Sequence, residues 1–329
     1  MERQRLARLI LAALLPSLAV TVHAQEKSDA AEPAKPVAAA AEAKPAADAK
    51  PAAKAGAKAG AKAGAKADKN KAASAAHETA SASALKTVVA GSWRDPKNVA
   101  RDGYRHPLET LSFFGIKPDQ TVVEITPGGG WYSEILAPYL ADKGRYVAAL
   151  VDPDTQTEDG ARKYFAKSKT TLEQKFAASP AQYGKVAVVA YDAYKPAFGA
   201  NDSADLVLTF RNVHNWRTAG QAEVMFKGFF DVLKPGGTLG VVEHRAKADV
   251  PADDKSGYVG QAQVIAMAEA AGFKLEGKSE INANSRDTKD YAKGVWTLPP
   301  VNQHDAADDA KYQAIGESDR MTLRFRKPR

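Results

Sequence analysis

The chain has 329 residues, a formal net charge of +7, 44% hydrophobic residues and no cysteine. A sizeable core is therefore possible and a disulfide scaffold is excluded. The basic charge is unevenly spread: Met1–Ala24 contributes +2, residues 25–85 contribute +3 through ten Lys and seven acids, and only +2 is left for residues 86–329. A near-neutral C-terminal part argues against a specific nucleic-acid-binding domain despite the overall basicity.

In chain order, Arg3, Arg5 and Arg8 precede an apolar run from Leu9 to Val22, and Val22-His23-Ala24 offers small residues for cleavage. This pattern predicts a cleaved secretory signal peptide over residues 1–24, and hence a soluble periplasmic protein. The apolar run is short of the roughly 20 residues that span a bilayer, and no later segment is apolar enough, so no transmembrane span is expected in the mature chain. In residues 25–85, 27 of 61 positions are Ala, Val37 and Leu85 are the only larger aliphatics, and aromatics are absent. Between Lys54 and Lys66 a Lys-Ala-Gly-Ala repeat sets Gly at every fourth position, costing a helix about 1 kcal/mol each, and stacks like charges. A disordered Ala/Lys/Pro-rich tail is predicted over 25–85. Its charge suits contact with anionic envelope polymers.

Residues 86–329 have the composition of one α/β domain. Thr121–Ile125 is a short apolar β-rich run entering a glycine turn, followed by a helix-period segment from Trp131 to Leu140. Further strands are predicted at Arg145–Val151, Lys185–Ala190, Asp205–Phe210 and Thr238–Glu243, with helices around Ala161–Ala178 and Ala219–Leu233. Continuously apolar strands separated by helices indicate a parallel sheet covered on both faces. A helix at Gln261–Ala271 and a strand at Phe273–Ile281 follow. Met321–Lys327 alternates, Met321, Leu323 and Phe325 facing one way and Thr322, Arg324 and Arg326 the other, which predicts an antiparallel strand near the sheet edge. About 39 residues with few periodic apolars separate those two strands. A loop of that length is a place to look for an acceptor site, with Asn284, Asp287 and Trp296 as candidates.

In an open α/β sheet the ligand crevice lies beyond the carboxyl ends of the strands. After the first strand comes Glu124-Ile-Thr126-Pro-Gly128-Gly129-Gly130-Trp131; after the second comes Asp152; after the third, Asp192. The fourth is followed by Arg211-Asn212-Val-His214-Asn-Trp216, and the fifth, introduced by Leu-Lys-Pro-Gly-Gly, ends in Glu243-His244-Arg245. Glycines let backbone approach a ligand, and a helix N-terminus presents free N–H groups. A nicotinamide-type Gly-x-Gly-x-x-Gly turn is not matched, because Ser133 stands three residues after Gly130.

Those residues in that order resemble a class I S-adenosylmethionine-dependent methyltransferase, and more narrowly the exported bacterial predicted-methyltransferase family, over about Trp93–Lys327. The resemblance implies a three-layer Rossmann-like methyltransferase fold with a seven-stranded, mostly parallel sheet and an antiparallel last strand. It implies S-adenosylmethionine as cofactor, with Gly128 and Gly130 along the methionine moiety, Asp152 at the ribose, and Asp192 with Ala193 at the adenine. Glu124, Thr126 and Asn212 complete the expected cofactor set. Thr126 and Pro127 replace the first glycine of the usual turn, and Thr tolerates positive φ badly, which predicts an altered loop path.

Methyl transfer needs in-line positioning of the acceptor, plus a base when the acceptor atom carries a proton. His214 is the first candidate for that base, followed by His106 and His244. Asp102, Tyr104, Arg105, Asn212, Glu243 and Arg245 are the other polar groups expected near the strand ends. No ligand pair has a dedicated metal spacing, so no metal is expected; His106, His214, Glu243 and His244 are the residues that would otherwise assemble one. Glu124 reads as a structural acceptor in the turn or a partner of the cofactor amine. Trp131, Trp216 and Trp296 suit the walls of an acceptor pocket or the core. The acceptor is a small molecule or envelope component. The alternative is a catalytically inactive binding protein of the envelope that keeps the fold.

Overall fold

Residues 79–329 are described by a computed structural model. The expected signal peptide and the expected tail up to residue 78 lie outside the described residues. Residues 79–89 form helix α1, and its Leu85 is 2% exposed, packed among the aromatic and aliphatic residues of one sheet face. The Ser81 hydroxyl also meets the Tyr139 hydroxyl at 2.7 Å. The folded unit therefore starts earlier than the expected boundary at residue 86. Leu85, one of two large aliphatics in the Ala/Lys segment, belongs to the core.

Three helices precede the sheet: α2 (Pro96–Val99), α3 (Asp102–Arg105) and α4 (Pro107–Phe114). Then come β1 (Thr121–Ile125), α5 (Ser133–Leu140), β2 (Arg145–Val151), α6 (Asp159–Ala178), α7 (Pro180–Tyr183), β3 (Ala187–Tyr191) and β4 (Ala204–Phe210). The chain continues through α8 (Val213–Thr218), α9 (Ala222–Val232), β5 (Leu233–His244), α10 (Gln261–Ala270), β6 (Lys274–Ser279), α11 (Asp309–Ile315) and β7 (Arg320–Arg326). Strand order is β3-β2-β1-β4-β5-β7-β6. β1 through β5 pair in parallel, and β7 runs antiparallel to both β5 and β6.

The apolar runs explain the layers. Along β1, Val122 enters one core with Leu111, Phe114, Ile135 and Leu136, while Val123 and Ile125 enter the other with Phe226, Phe229 and Leu239. A strand buried on both faces must be apolar throughout, because successive side chains point to opposite sides. β7 keeps the expected alternation: Met321, Leu323 and Phe325 are fully buried, whereas Arg324 donates to the Phe113 carbonyl and Arg326 pairs with Glu276. β6, with Lys274, Glu276 and Lys278 exposed, forms the outer edge.

Several boundaries differ from expectation, two of them in the region around β5. The helix predicted over Ala219–Leu233 is α9, Ala222–Val232, and it starts after Gly220, whose φ of +68 separates it from an unexpected further short helix, α8. The fifth strand starts at Leu233 rather than Thr238, with Leu233 paired to Ala204 across an irregularity in register.

Phe229 is fully buried, with ring centroids 5.3 Å from Phe198, 5.4 Å from Trp216 and 5.6 Å from Phe226. Phe229→Ala is expected to lower unfolding free energy by about 3–5 kcal/mol through lost burial and the cavity left behind. Urea denaturation checks this, and a loss under about 1 kcal/mol would mean the face repacks freely.

Candidate functional site

The carboxyl ends of β1, β2, β3 and β4 open into a cavity of about 700 Å³. Five of the expected cofactor residues line it: Glu124, Thr126, Gly128, Ala193 and Asn212. Gly129, Trp131 and Trp216 also line it, as do Tyr132 and Phe210, whose rings stack 3.6 Å apart.

Thr126 resolves the question raised by the missing glycine. It takes the left-handed conformation itself, φ +51, while its N–H donates to the Ala149 carbonyl and its hydroxyl meets that of Tyr191 at 2.7 Å. The turn tolerates the strain because those bonds over-determine it. Glu124 is fully buried; its Oε2 accepts from the Tyr146 hydroxyl at 2.5 Å and from the Ser133 hydroxyl at 3.4 Å. Its partners are thus hydroxyls rather than the turn's backbone. Burial pushes its carboxyl up to about 7, against those hydroxyls and Lys175. Asn212 Nδ2 donates to the Ile125 carbonyl at 3.0 Å, tying the end of β4 to the end of β1.

Gly130, Asp152 and Asp192 do not line the cavity. Gly130 has φ +77, and a Cβ there would lie 2.8 Å from the Leu172 side chain of α6, so this glycine serves packing. The Asp152 carboxylate accepts from the Asp154 N–H at the start of a 3-10 turn, Pro153–Thr155, and that of Asp192 accepts from the Tyr194 N–H at 2.8 Å. Both aspartates shape turns. Their neighbours Val151, Ala193 and Tyr194 are what face the cavity.

None of the three histidines lines the cavity either. His214 Nδ1 lies 3.0 Å from Glu243 Oε1, and its ring is 6.1 Å from that of Trp296, centroid to centroid. Glu243 is fully buried and also accepts from the N–H groups of His214 and His244. His244 meets the Ser318 hydroxyl through Nδ1, and burial, with His214 and nearby arginines, pulls it well below the usual imidazole range. His106 has φ +41 between α3 and α4, and its Nδ1 is buried with no hydrogen-bond partner. Among the described residues, His214, Glu243 and His244 place ligand atoms within 4.8 Å of one another, and His106 stands outside that group.

The long segment before β7 is anchored by the residues expected to line an acceptor site. Asn284 donates to the carbonyls of Ile315 and Glu317, and Asp287 accepts from the Tyr258 hydroxyl and the Asp319 N–H. Neither they nor Trp296 reach the cavity. The segment contributes Glu317 instead, 3% exposed, between Arg101 at 2.6 Å, Arg320 at 2.9 Å and Arg105 at 3.3 Å. Burial alone would raise this carboxyl, but Arg320, Arg105, Arg101 and Arg211 reverse the effect and hold it at about 2. Arg101, Arg105 and Arg211 line the cavity. Of these, sequence reasoning weighed Arg105 alone. The missed signal for Arg211 is its position directly after the apolar run of β4.

No family model matches the chain, and no curated protein is similar to it. Solved structures do resemble it. An S-adenosylmethionine-dependent methyltransferase from Aquifex aeolicus aligns at TM-score 0.46 and 15% identity, over 75% of this chain and 98% of that one. A [4+2]-cyclase aligns at 0.47 and 14%, over 68% and 81%. A methyltransferase from Methanosarcina mazei aligns at 0.43 and 13%, over 66% and 96%. The fold itself follows from the sheet. Strand order 3-2-1-4-5-7-6 with only β7 reversed is the Rossmann-like methyltransferase fold.

Proposed function

We propose that the protein is an S-adenosylmethionine-dependent methyltransferase acting on a small-molecule or envelope acceptor. The observation that carries this reading is the cavity at the strand ends, whose volume of about 700 Å³ suits a ligand of cofactor size. The lining fits such a ligand. A Cβ at Gly128 or Gly129 would meet nothing within 4 Å, so the turn's backbone is open to close approach. The buried Glu124 carboxylate, its pKa raised, gains from a ligand ammonium.

When bound, the sulfonium supplies an electrophilic methyl group. The chain's residues do the rest: Glu124 holds the ammonium, Ala193 leaves room for a flat ring, and Tyr132 with Phe210 keeps water from one wall. His214, the expected base, is held by Glu243 with its side chain 12% exposed, and lying outside the cavity lining it would take a proton only from an acceptor that reaches past that lining. Export to the periplasm rests on the pattern of residues 1–24, and the basic tail is read as a tether for anionic envelope polymers.

Calorimetric titration of the full chain with S-adenosylmethionine and S-adenosylhomocysteine tests the reading. Both are expected to bind at micromolar concentrations or tighter, on the order of 8 kcal/mol. Gly129→Leu, which points a side chain into open space at the cavity wall without a positive φ, is expected to weaken both about tenfold or more while the melting temperature holds. Absence of heat at millimolar ligand would overturn it. The absence of all three histidines from the lining favours a second reading, a binding protein of the same fold. Binding without turnover of any acceptor would select it.

A further inference from the structure

The cavity has two ends of different character. Over β1, β2 and β3 it is lined by the glycine turn, Val151, Ala193 and Tyr194. Toward β4 and β7 it meets guanidinium groups: Arg211 follows β4, Arg101 and Arg105 flank and end α3, and Arg320 opens β7 behind them. Four arginines here share one carboxylate, that of Glu317. Arg101, Arg105 and Arg320 pair with it. Arg211 has no side-chain ion pair or hydrogen bond among the described residues, although it is half-buried and lines the cavity. Arg101 Nη2 and Arg320 Nε are buried without partners.

Buried charge is tolerated when paired, and a surplus of unpaired guanidinium in a cavity wall is a cost that an incoming anion removes. Burial draws Arg211 down to about 10 and Arg105 well below its usual value, with the neighbouring arginines adding to the effect. Arg211 is also held at φ +62, a backbone conformation uncommon for a side-chain-bearing residue outside functional sites. Arg105 lies over the Trp131 ring at 4.7 Å, so its direction is set before any ligand arrives. Guanidinium forks match the two oxygens of a carboxylate or phosphate.

We propose that the acceptor carries an oxyanion, a carboxylate or a phosphate, gripped by Arg211 with Arg105 and Arg101 at the β4 end of the cavity. This rests on the methyltransferase reading for the word acceptor, and on the arginines alone for the anion. Glu317 keeps the arginines apart and compact until the anion adds the missing negative charge.

The test is calorimetry of the full chain with inorganic phosphate and with benzoate, each with and without saturating S-adenosylhomocysteine. At least one anion is expected to bind the loaded protein, and the tighter of the two identifies the oxyanion. Arg211→Gln should weaken it about tenfold or more, with Arg211→Lys intermediate, while S-adenosylhomocysteine affinity stays within about twofold. The melting temperature of Arg211→Gln should change little, since among the described residues that guanidinium has no ion pair or hydrogen bond to lose and its attraction to Glu317 is offset by the neighbouring arginines. The proposal is overturned if neither anion binds, or if Arg211→Gln leaves anion binding unchanged. It is also overturned if Arg211→Gln weakens S-adenosylhomocysteine but not 5′-methylthioadenosine, which lacks the amino-acid carboxylate; the arginines then belong to the cofactor. Anion binding that depends on Arg211 in a protein that ignores S-adenosylhomocysteine would support the grip and sink the methyltransferase reading separately.

Discussion

Glu317→Gln is expected to destabilise the protein by about 3–5 kcal/mol at pH 7, because it strips the counter-charge from buried guanidinium groups. The amide fills the same space, so the loss measures charge rather than packing. Arg105 and Arg320 are each 3% exposed and, among the described residues, keep no other carboxylate within 4 Å. The pH dependence has a definite sign. The folded-state pKa is depressed from 4.5 to about 2, so the carboxylate's contribution is complete above pH 4.5 and is lost as pH falls through about 2. Wild type and variant should therefore converge in stability across that window, by about 3 kcal/mol. Urea melts at pH 7, 4 and 2.5 check it. A gap that is constant with pH would place the effect in packing.

Glu124→Gln should do the opposite to stability. Its folded pKa is raised from 4.5 to about 7, so the native state holds a proton that the unfolded state releases, and wild-type stability falls as pH rises between those values. Above pH 7 the wild type carries a penalty of about 3 kcal/mol that the neutral amide avoids, so the variant should be the more stable at pH 8 and equal to wild type near pH 4.5. Gln retains an oxygen to accept from Tyr146. Cofactor affinity should drop about tenfold in the same variant if the carboxylate meets the ammonium. Stability gained with affinity lost is the signature of a group kept for binding. A variant less stable than wild type at pH 8 would show that the ionised carboxylate is well accommodated.

Much of the fold is legible in the sequence because its strands are buried on both faces, and such strands cannot hide among polar residues. Thr121–Ile125 and Arg145–Val151 have the expected bounds. The alternation of Met321, Leu323 and Phe325 marks β7 as different in kind, and it is the one reversed strand. The cavity's position follows from the same logic. The roles of individual aspartates are less legible because a carboxylate after a strand has two uses, ligand or turn. At Asp152 and Asp192 the carboxylate accepts from the N–H two residues on, and the turn use is the one seen. That Asp-x-x grammar is local and could be read from Asp152-Pro153. The arginine cluster is not local at all: Arg101 and Glu317 are 216 residues apart, and Arg105 and Glu317 are 212. Nothing in either neighbourhood announces the other.

α6 is held most deeply toward its end, while its first half is tied by the partly buried Phe165 and by Arg162, which donates to the Gln156 carbonyl. Its buried residues are Leu172 and Phe176, and Lys175 reaches Glu134 at 2.6 Å and the Gly129 carbonyl at 3.1 Å, all in its last third. Its first half contributes Ala161, Tyr164, Phe165 and Ser168 to the cavity wall, and none of these is fully buried. The first half of the helix is thus its less deeply held arm. Few buried contacts mean a low opening free energy for that arm, so amide exchange should be fast along Asp159–Ser168, slow along Leu172–Ala178, and slowed in the first stretch by S-adenosylhomocysteine. A bulky ligand can then come and go without disturbing the sheet beneath it.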